Sequence, residues 1–263
     1  MTVRDITEIM EKDIAPLSLA EEWDSPGLKT GYPDMDVSGV LVCLDADYTI
    51  IEEAHRLGLN MIVSHHPLIF GSVRDVRDDT QRALCAAVRN GISVYSAHTN
   101  LDYASGGIND ALAEAAGITD IQKDVSGCHR FGKIACEMSL DKYLDYIKKK
   151  LSVPCLNIVM TERFRNMRAE EIQISKAGVS CGAFDGKTDW AKACGIDVLI
   201  TGEIKHSDAI LLSGAPFITI GAGHYHTEVP GVVKLAKHLK EIVSQYGISV
   251  RLSEAMRAPM LIR

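Results

Sequence analysis

The sequence lacks long hydrophobic runs, an excess of basic residues and paired cysteine motifs. No apolar run in its 263 residues reaches the roughly 18 residues that a helix needs to cross a bilayer. The N-terminus opens directly into a polar amphipathic helix, so we expect neither a membrane anchor nor a secretory signal. The formal net charge of −7 argues against broad binding to nucleic acid, because that binding requires a basic face. It does not exclude a small anionic substrate held by a metal.

The cysteine pattern also argues against a zinc finger. The cysteines number seven, no two of them form Cys-x-x-Cys, and most have apolar neighbours. The positions are Cys43, Cys85, Cys128, Cys136, Cys155, Cys181 and Cys194. This pattern does not support a zinc finger and predicts reduced, mainly structural thiols in a cytoplasmic protein. Cys128, which precedes His129, is a candidate nucleophile, although a structural thiol is the more common role.

Short apolar runs alternate with helical patterns along most of the chain. Strands are predicted near residues 39–44, 61–64 and 92–96, and again near 217–220 and 248–252, with helices between them. This alternation predicts an α/β fold of βαβ units with mostly parallel sheets. The pattern loosens between about residues 120 and 185, where a strand-rich insertion and the start of a second lobe both fit.

An internal similarity favours two related lobes. Residues 54–64 and 191–201 share the order alanine, three residues, glycine and then an apolar strand ending in a hydroxyl residue. We therefore predict a first α/β lobe over residues 1–125 and a second over residues 126–263. Two such lobes facing each other would leave a cleft lined by their strand ends.

The run Met61-Ile62-Val63-Ser64-His65-His66-Pro67 carries the strongest functional pattern. Its apolar part is typical of a strand buried on both faces, and α/β folds bind ligands beyond the carboxyl ends of such strands. Successive residues of an extended chain point in opposite directions. His65 and His66 can therefore share one metal only if the backbone turns between them; otherwise they suit two metals, or one metal and a supporting contact.

Other ligand-type residues follow the remaining strands. They are His98, Asp102, Glu203, His206, His224, His226 and Glu228. His224 and Glu228 are four residues apart, so a helical turn would place both on one face. Each pattern alone also fits a core histidine or a helix cap. Together they predict a metal site.

These motifs resemble those of the NIF-three-like family, whose members are also labelled GTP cyclohydrolase 1 type 2 homologues. The similarity runs in order through Trp23-Asp24-x-x-Gly27-Leu28, Ser64-His65-His66-Pro67, His98-Thr99-Asn100-Leu101-Asp102, Thr201-Gly202-Glu203 and Gly223-His224-x3-Glu228. It covers nearly the whole chain, in a short form without a mid-chain insertion domain. The usual Asn after Trp-Asp is Ser25 here, and Pro26 replaces a small apolar residue, which affects that loop only.

The resemblance implies two metal ions in a cleft between two α/β lobes, and a ring-shaped homohexamer. Carried over by position, the metal ligands are His65, His66, Asp102, His224 and Glu228. Three imidazoles and two carboxylates suit zinc, iron or manganese better than magnesium or calcium.

A two-metal centre with open positions is typical of metal-assisted hydrolysis. His98 and Glu203 are then the candidates for proton transfer, and His98 fits a role in orienting a ligand equally well. We predict a metal-dependent hydrolase of a small substrate, which the family label suggests is nucleotide or purine-like. No phosphate-cradling Gly-Lys loop supports that label. The alternatives are a non-catalytic metal-binding or regulatory protein and a protein-interaction protein.

Overall fold

The computed structural model describes residues 1–79 and 81–260. The chain forms two compact units. Unit 1 comprises Met1–Gly107 and Val232–Arg257, and unit 2 comprises Ile108–Gly231 with the described residues from Ala258 onward. This division differs from the predicted boundary between residues 125 and 126, which falls inside unit 2.

Unit 1 contains a five-stranded sheet and the helices that cover it. Its elements are α1 (Val3–Ile9, continued by a π-helical turn at Met10–Ile14), β1 (Gly27–Thr30), β2 (Val40–Cys43), α2 (Tyr48–Arg56), β3 (Met61–Ser64), α3 (Arg82–Arg89), β4 (Ser93–Ser96), α4 (Thr99–Tyr103) and β11 (Val250–Leu252). The strand order is β1-β4-β3-β2-β11. All pairs are parallel except the edge pair of β1 with β4.

The central strands of unit 1 have the burial that their composition predicts. Every residue of β2, β3 and β4 is buried, as expected for parallel strands with both faces covered. Cys43, Ser64 and Ser96 are aligned across these three strands. The residues that follow them therefore emerge at one edge of the sheet.

Unit 2 contains a mixed six-stranded sheet. Its elements are α5 (Ile108–Ala115), β5 (Ile118–Lys123), β6 (Arg130–Ser139), α6 (Leu140–Leu151), β7 (Asn157–Val159), β8 (Gln173–Ala183), α7 (Asp189–Cys194), β9 (Val198–Glu203), α8 (His206–Ser213) and β10 (Ile218–Gly221). The strand order is β5-β6-β8-β9-β10-β7. The central strands β8, β9 and β10 are parallel, and the outer pairs are antiparallel. Helix α9 (His224–Val243) begins in unit 2 and ends in unit 1.

The predicted α/β class is confirmed, and the two similar sequence segments have the same local structure. Gly58 follows α2 with a φ of 69°, and Gly195 follows α7 with a φ of 61°. Glycine adopts this left-handed conformation without the steric cost that a side chain imposes. Each glycine ends its helix and directs the chain into a buried parallel strand, β3 or β9.

Two regions differ from the sequence-based expectation. Gly27 and Leu28, which end the segment 22–28 that the sequence predicts to be rich in turns, begin the edge strand β1. The predicted boundary at residue 125 lies in the turn between β5 and β6, which pair as an antiparallel hairpin. Hydrogen bonds across that hairpin keep the chain within one sheet, so the two units do not separate there. Within the described residues, no helix combines the length and the apolar character that a membrane span requires.

Candidate metal centre

His65 and His66 lie where β3 ends, and the backbone bends there. The amides of His65 and His66 donate to Cys43 O (3.1 Å) and Leu44 O (2.8 Å), which continues the pairing of β3 with β2. The two imidazole centroids are 4.9 Å apart with an interplanar angle of 42°. The turn that the sequence analysis required for a shared site is therefore present.

The imidazoles of His65, His66 and His98 are all fixed through the same ring nitrogen. Each Nδ1 lies within hydrogen-bond distance of one oxygen: Ala97 O for His65 (2.8 Å), Asp45 Oδ1 for His66 (2.7 Å) and Asp24 Oδ1 for His98 (3.0 Å). A carbonyl or an ionised carboxylate can only accept, so Nδ1 is the donor in each case. The Nε2 atoms are left as the nitrogens that can bind a metal. One ring nitrogen of each histidine lies within 4.8 Å of the others, as in a metal-ligand cluster.

Asp102 adds a carboxylate beside these imidazoles. Helix α4 begins immediately after His98, and Asp102 lies one turn further along it. Its Oδ1 is 3.6 Å from His65 Nε2. Nitrogen and oxygen ligands bind zinc at about 2.0–2.2 Å, so two ligands of one ion lie roughly 3–3.5 Å apart. The His65–Asp102 separation is close to that range.

Asp24 holds the chain at the start of α4, and the sequence analysis did not identify it as a site residue. Its Oδ2 accepts from the Thr99 amide (3.0 Å) and hydroxyl (2.6 Å), while Oδ1 accepts from His98. Burial acts to raise the pKa of Asp24, but the hydrogen bonds from Thr99 and His98 outweigh it and lower that pKa. Burial and the neighbouring His65 lower the pKa of His98 against the opposing contact with Asp24.

Two aromatic side chains stand exposed beside His98. Trp23 is 62% exposed and Phe70 is 71% exposed. Their ring centroids lie 5.8 Å and 6.3 Å from that of His98, and 6.1 Å from each other. The turn-rich sequence around Trp23 favours a packing anchor over a binding platform. The structure instead leaves most of the Trp23 side chain exposed.

Unit 2 carries a second group, formed by His224, Glu228 and Glu203. His224 begins α9, and its Nε2 is 3.1 Å from Glu228 Oε1, as the four-residue spacing predicts. Its Nδ1 is 3.4 Å from Glu203 Oε2, where β9 ends. Glu228 is buried and Glu203 is half-exposed. The separation of 3.1 Å between an imidazole nitrogen and a carboxylate oxygen fits two ligands of one ion.

Backbone glycines make room for this pair. Gly182 has a φ of 63°, and a Cβ on it would lie 2.5 Å from Glu228 Oε1 and 3.3 Å from His224 Nε2. A Cβ on Gly202 would lie 2.2 Å from Gly182 O and 2.9 Å from the Cα of His224. The strand ends of β8 and β9 can therefore approach the start of α9 only because both positions lack a side chain.

The other histidines noted in the sequence have different surroundings. His206 is exposed at the start of α8. His226 is half-buried, with Nδ1 3.2 Å from Leu151 O. His129 is buried in unit 2 between Asp124 and Asp185. Within the described part of the chain, none of the three is in a group of ligand atoms close enough to hold a metal.

A family model described as Duf34/NIF3 (NGG1p interacting factor 3) matches residues 1–259. The chain belongs to this family. The family expected from the motifs is thus confirmed over almost the whole sequence.

Curated relatives agree with this assignment. A Clostridium acetobutylicum protein is 30% identical over 259 residues, covering 95% of this chain and 93% of the relative. A Clostridium perfringens protein is 31% identical over 250 residues and covers 92% of both chains. Both are named GTP cyclohydrolase 1 type 2 homolog.

Solved structures of other proteins share the fold. A Staphylococcus aureus protein superposes with a TM-score of 0.91 at 24% identity, covering 100% of this chain and 99% of the other. Reduced HcgD from Methanocaldococcus jannaschii gives a TM-score of 0.78 at 28% identity, covering 97% of this chain and 98% of the other. The similarity to the Staphylococcus aureus protein shows the Duf34/NIF3 fold and carries no functional argument.

Proposed function

We propose that this Duf34/NIF3 protein is a metal-dependent hydrolase of a small substrate. The observation that carries the proposal is the common orientation of His65, His66 and His98. Each imidazole is held through Nδ1 by an oxygen acceptor, and one ring nitrogen of each lies within 4.8 Å of the others. Outer acceptors of this kind fix the tautomer and direction of metal-binding histidines.

The proposed metal ligands are His65, His66, Asp102, His224 and Glu228, and they would hold two divalent ions. Their nitrogen and oxygen atoms suit zinc, iron or manganese. Such ions, when bound, lower the pKa of coordinated water and polarise the group under attack.

The proposed proton-transfer groups are His98 and Glu203. His98 is positioned by Asp24, and its lowered pKa favours the neutral imidazole that can accept a proton. Glu203 is half-exposed and contacts His224, so it can exchange protons with solvent. If His98 instead binds a metal, Glu203 remains the group that moves the proton.

The substrate class that we propose is a nucleotide or another purine-like ring. The exposed rings of Trp23 and Phe70 beside His98 provide apolar faces on which a planar base can stack. The names of the curated relatives point to the same class. We further propose a cytoplasmic location and a homohexamer, both taken from the sequence analysis and the family resemblance.

A non-catalytic metal-binding or regulatory protein is the second candidate. The burial of His65 and Glu228 favours it, because structural sites tend to be closed while catalytic sites keep an open position. The two candidates differ in whether substrate can reach the metal.

The metal content of the protein tests both candidates, because the hydrolase and the regulatory protein each require bound metal. We would reconstitute the wild type, Asp102→Ala, Glu228→Ala and the double variant with zinc, iron or manganese, and measure bound metal by elemental analysis. Asp189→Ala is the control because Asp189 is 97% exposed and pairs only with Lys192 among the described residues. We expect about two ions per chain in the wild type and the control, and less in folded ligand variants.

A screen with nucleotides and cyclic amides then tests hydrolysis. Turnover that needs metal and falls in Glu203→Gln supports the enzyme. Bound metal without turnover of any of these compounds leaves the regulatory protein as the better function. A wild type that binds no metal after reconstitution excludes both.

A further inference from the structure

Two cysteines of unit 2 lie near the ends of the paired strands β6 and β8: Cys128 is in the turn just before β6, and Cys181 is in β8. Their antiparallel register pairs Arg130 with Val179 and Phe131 with Gly178. Extended by two residues beyond Arg130 and Val179, the same register places Cys128 opposite Cys181. In the sequence, 52 residues separate these cysteines, so sequence spacing alone does not relate them.

The two cysteines share one face of the sheet. Ala177 and Val179 belong to the core on the α5 and α6 side, and Cys181 packs against the same core. Asn109 of α5 contacts both cysteines: its Nδ2 is 3.7 Å from Cys128 Sγ, and its Oδ1 accepts from the Cys181 amide at 2.9 Å. His129, the residue between Cys128 and Arg130, instead stacks on Trp190 of α7.

The backbone amides of Cys128 and Cys181 donate to side chains and not to each other's carbonyl oxygens. The Cys128 amide donates to Ser126 Oγ at 3.2 Å, and the Cys181 amide donates to Asn109. The β6–β8 ladder therefore ends at Arg130, and the two chain segments beyond it are not fixed to each other by backbone hydrogen bonds. A disulfide between them requires Cα atoms roughly 4.4–6.8 Å apart.

We propose that Cys128 and Cys181 are an oxidation site. A small-molecule disulfide such as oxidised glutathione oxidises the two thiols, which then form a disulfide with each other. One thiol loses its proton and attacks the glutathione disulfide, which forms a mixed disulfide and releases one glutathione thiolate. The second cysteine thiolate attacks the protein sulfur of that mixed disulfide and releases the second glutathione. The protein loses two protons and two electrons, and oxidised glutathione takes up the electrons to become two thiols.

The position of this site gives the disulfide a structural effect. Cys181 precedes Gly182, whose backbone lies against Glu228 and His224. The cross-link would fix the end of β8 beside this pair. The oxidation site itself does not depend on the proposed metal function, because neither cysteine is among the proposed ligands.

Peptide mapping tests the proposal directly. The folded, full-length protein is treated with oxidised glutathione at low protein concentration, alkylated and digested with trypsin without reduction. Trypsin places Cys128 in peptide 124–130 and Cys181 in peptide 177–187, each with a single cysteine. We expect the linked pair to exceed any other cysteine pairing at least tenfold, and a reducing agent to remove it.

Two variants and one condition complete the test. Cys128→Ser should abolish the linked peptide, whereas Cys136→Ser, which removes an exposed thiol on β6, should leave it unchanged. In urea-unfolded protein the preference for this pair should disappear. Absence of the linked peptide in folded protein, glutathione that stays attached to either cysteine, or cross-links scattered among all seven cysteines would overturn the proposal.

Discussion

The histidines of the candidate metal centre in unit 1 and His129 in unit 2 differ in what surrounds their ring nitrogens. His65, His66 and His98 each contact an oxygen acceptor through Nδ1, and His65 Nε2 also lies 3.6 Å from Oδ1 of Asp102, a proposed ligand of the same centre. His129 has a carboxylate at each ring nitrogen: Nδ1 is 3.3 Å from Asp124 Oδ2, and Nε2 is 3.2 Å from Asp185 Oδ2. It also stacks on Trp190, with ring centroids 4.4 Å apart.

This difference separates ligand histidines from structural ones. An imidazole anchored at one nitrogen keeps a lone pair on the other for a metal. Both ring nitrogens of the buried His129 instead face carboxylate oxygens of unit 2. We therefore assign His129 to stability and keep the three histidines of unit 1 as the candidate metal site.

His224 is intermediate between these cases. Carboxylates face both of its ring nitrogens, as for His129, but its side chain is 32% exposed and that of His129 is 1% exposed. Glu203, on the Nδ1 side, can serve as the outer acceptor, and Glu228, on the Nε2 side, as the second ligand. His224 is thus open to solvent where His129 is closed.

Removal of His129 should have the largest effect on stability. His129→Leu leaves Asp124 and Asp185 without their shared partner, and breaking a buried ion pair in this way costs about 3 kcal/mol. Urea denaturation followed by circular dichroism measures the loss. Metal content per folded chain should stay at the wild-type level.

The matched control is His55→Leu, because His55 is exposed on α2. It should change the free energy of unfolding by no more than about 0.5 kcal/mol. A His129→Leu variant as stable as this control would contradict the assignment of His129 to stability.

Removal of the acceptor behind His98 should affect metal binding instead. Asp24→Asn replaces the carboxylate that holds Thr99 at the start of α4, the helix that carries the proposed ligand Asp102, and loss of such an outer partner typically weakens metal binding about 10–100-fold. Competition with a chromogenic chelator gives the metal affinity. Unfolding in urea should change far less than in His129→Leu.

Asp45→Asn tests whether an exposed acceptor matters less for metal affinity than the buried acceptor Asp24. Asp45 contacts His66 but its side chain is 51% exposed, whereas that of Asp24 is 2% exposed. Water can replace an exposed acceptor, so we expect a smaller loss of affinity. Equal affinities for Asp24→Asn and the wild type would show that His98 is not held for metal chemistry by this contact.

The sequence predicts the parts of this site that depend on local spacing. The apolar run before His65 predicts a buried strand, and the spacing of His224 and Glu228 predicts their contact across one helical turn. Both features depend only on neighbouring residues, and the structure contains both.

The remaining contacts depend on pairings distant in the chain. Asp24 and His98 are 74 residues apart, so no local pattern identifies Asp24 as an acceptor. Cys128 and Cys181 both contact Asn109, although 52 residues separate them in the sequence. The start of β1 resembles a turn in sequence because it follows Asp24-Ser25-Pro26 and begins with Gly27, and its pairing with β4 decides its conformation.

Acid should produce the smallest of these effects, and it acts on the carboxylate side of the His129 ion pair. Burial acts to raise the pKa of Asp124, but hydrogen bonds from Ser126 and the contact with His129 outweigh it and lower that pKa. Burial likewise acts to raise the pKa of Asp185, but the contacts with His129 and Lys187 together outweigh it and lower that pKa. A lowered folded-state pKa stabilises the fold above the unfolded value of about 3.9 and loses that contribution as the pH falls through the folded value.

Stability should therefore decline below about pH 4, and the decline should be shallower in Asp124→Asn, which lacks one of these carboxyl groups. Urea midpoints measured between pH 5 and the acid limit of folding, for wild type and variant, give the two slopes. Other carboxyl groups with lowered pKa, including Asp24, contribute equally to both proteins, so the difference between the slopes reports Asp124 alone. Parallel slopes would mean that the contact with His129 does not lower the pKa of Asp124, and the assignment of His129 to stability would then rest on its contact with Asp185.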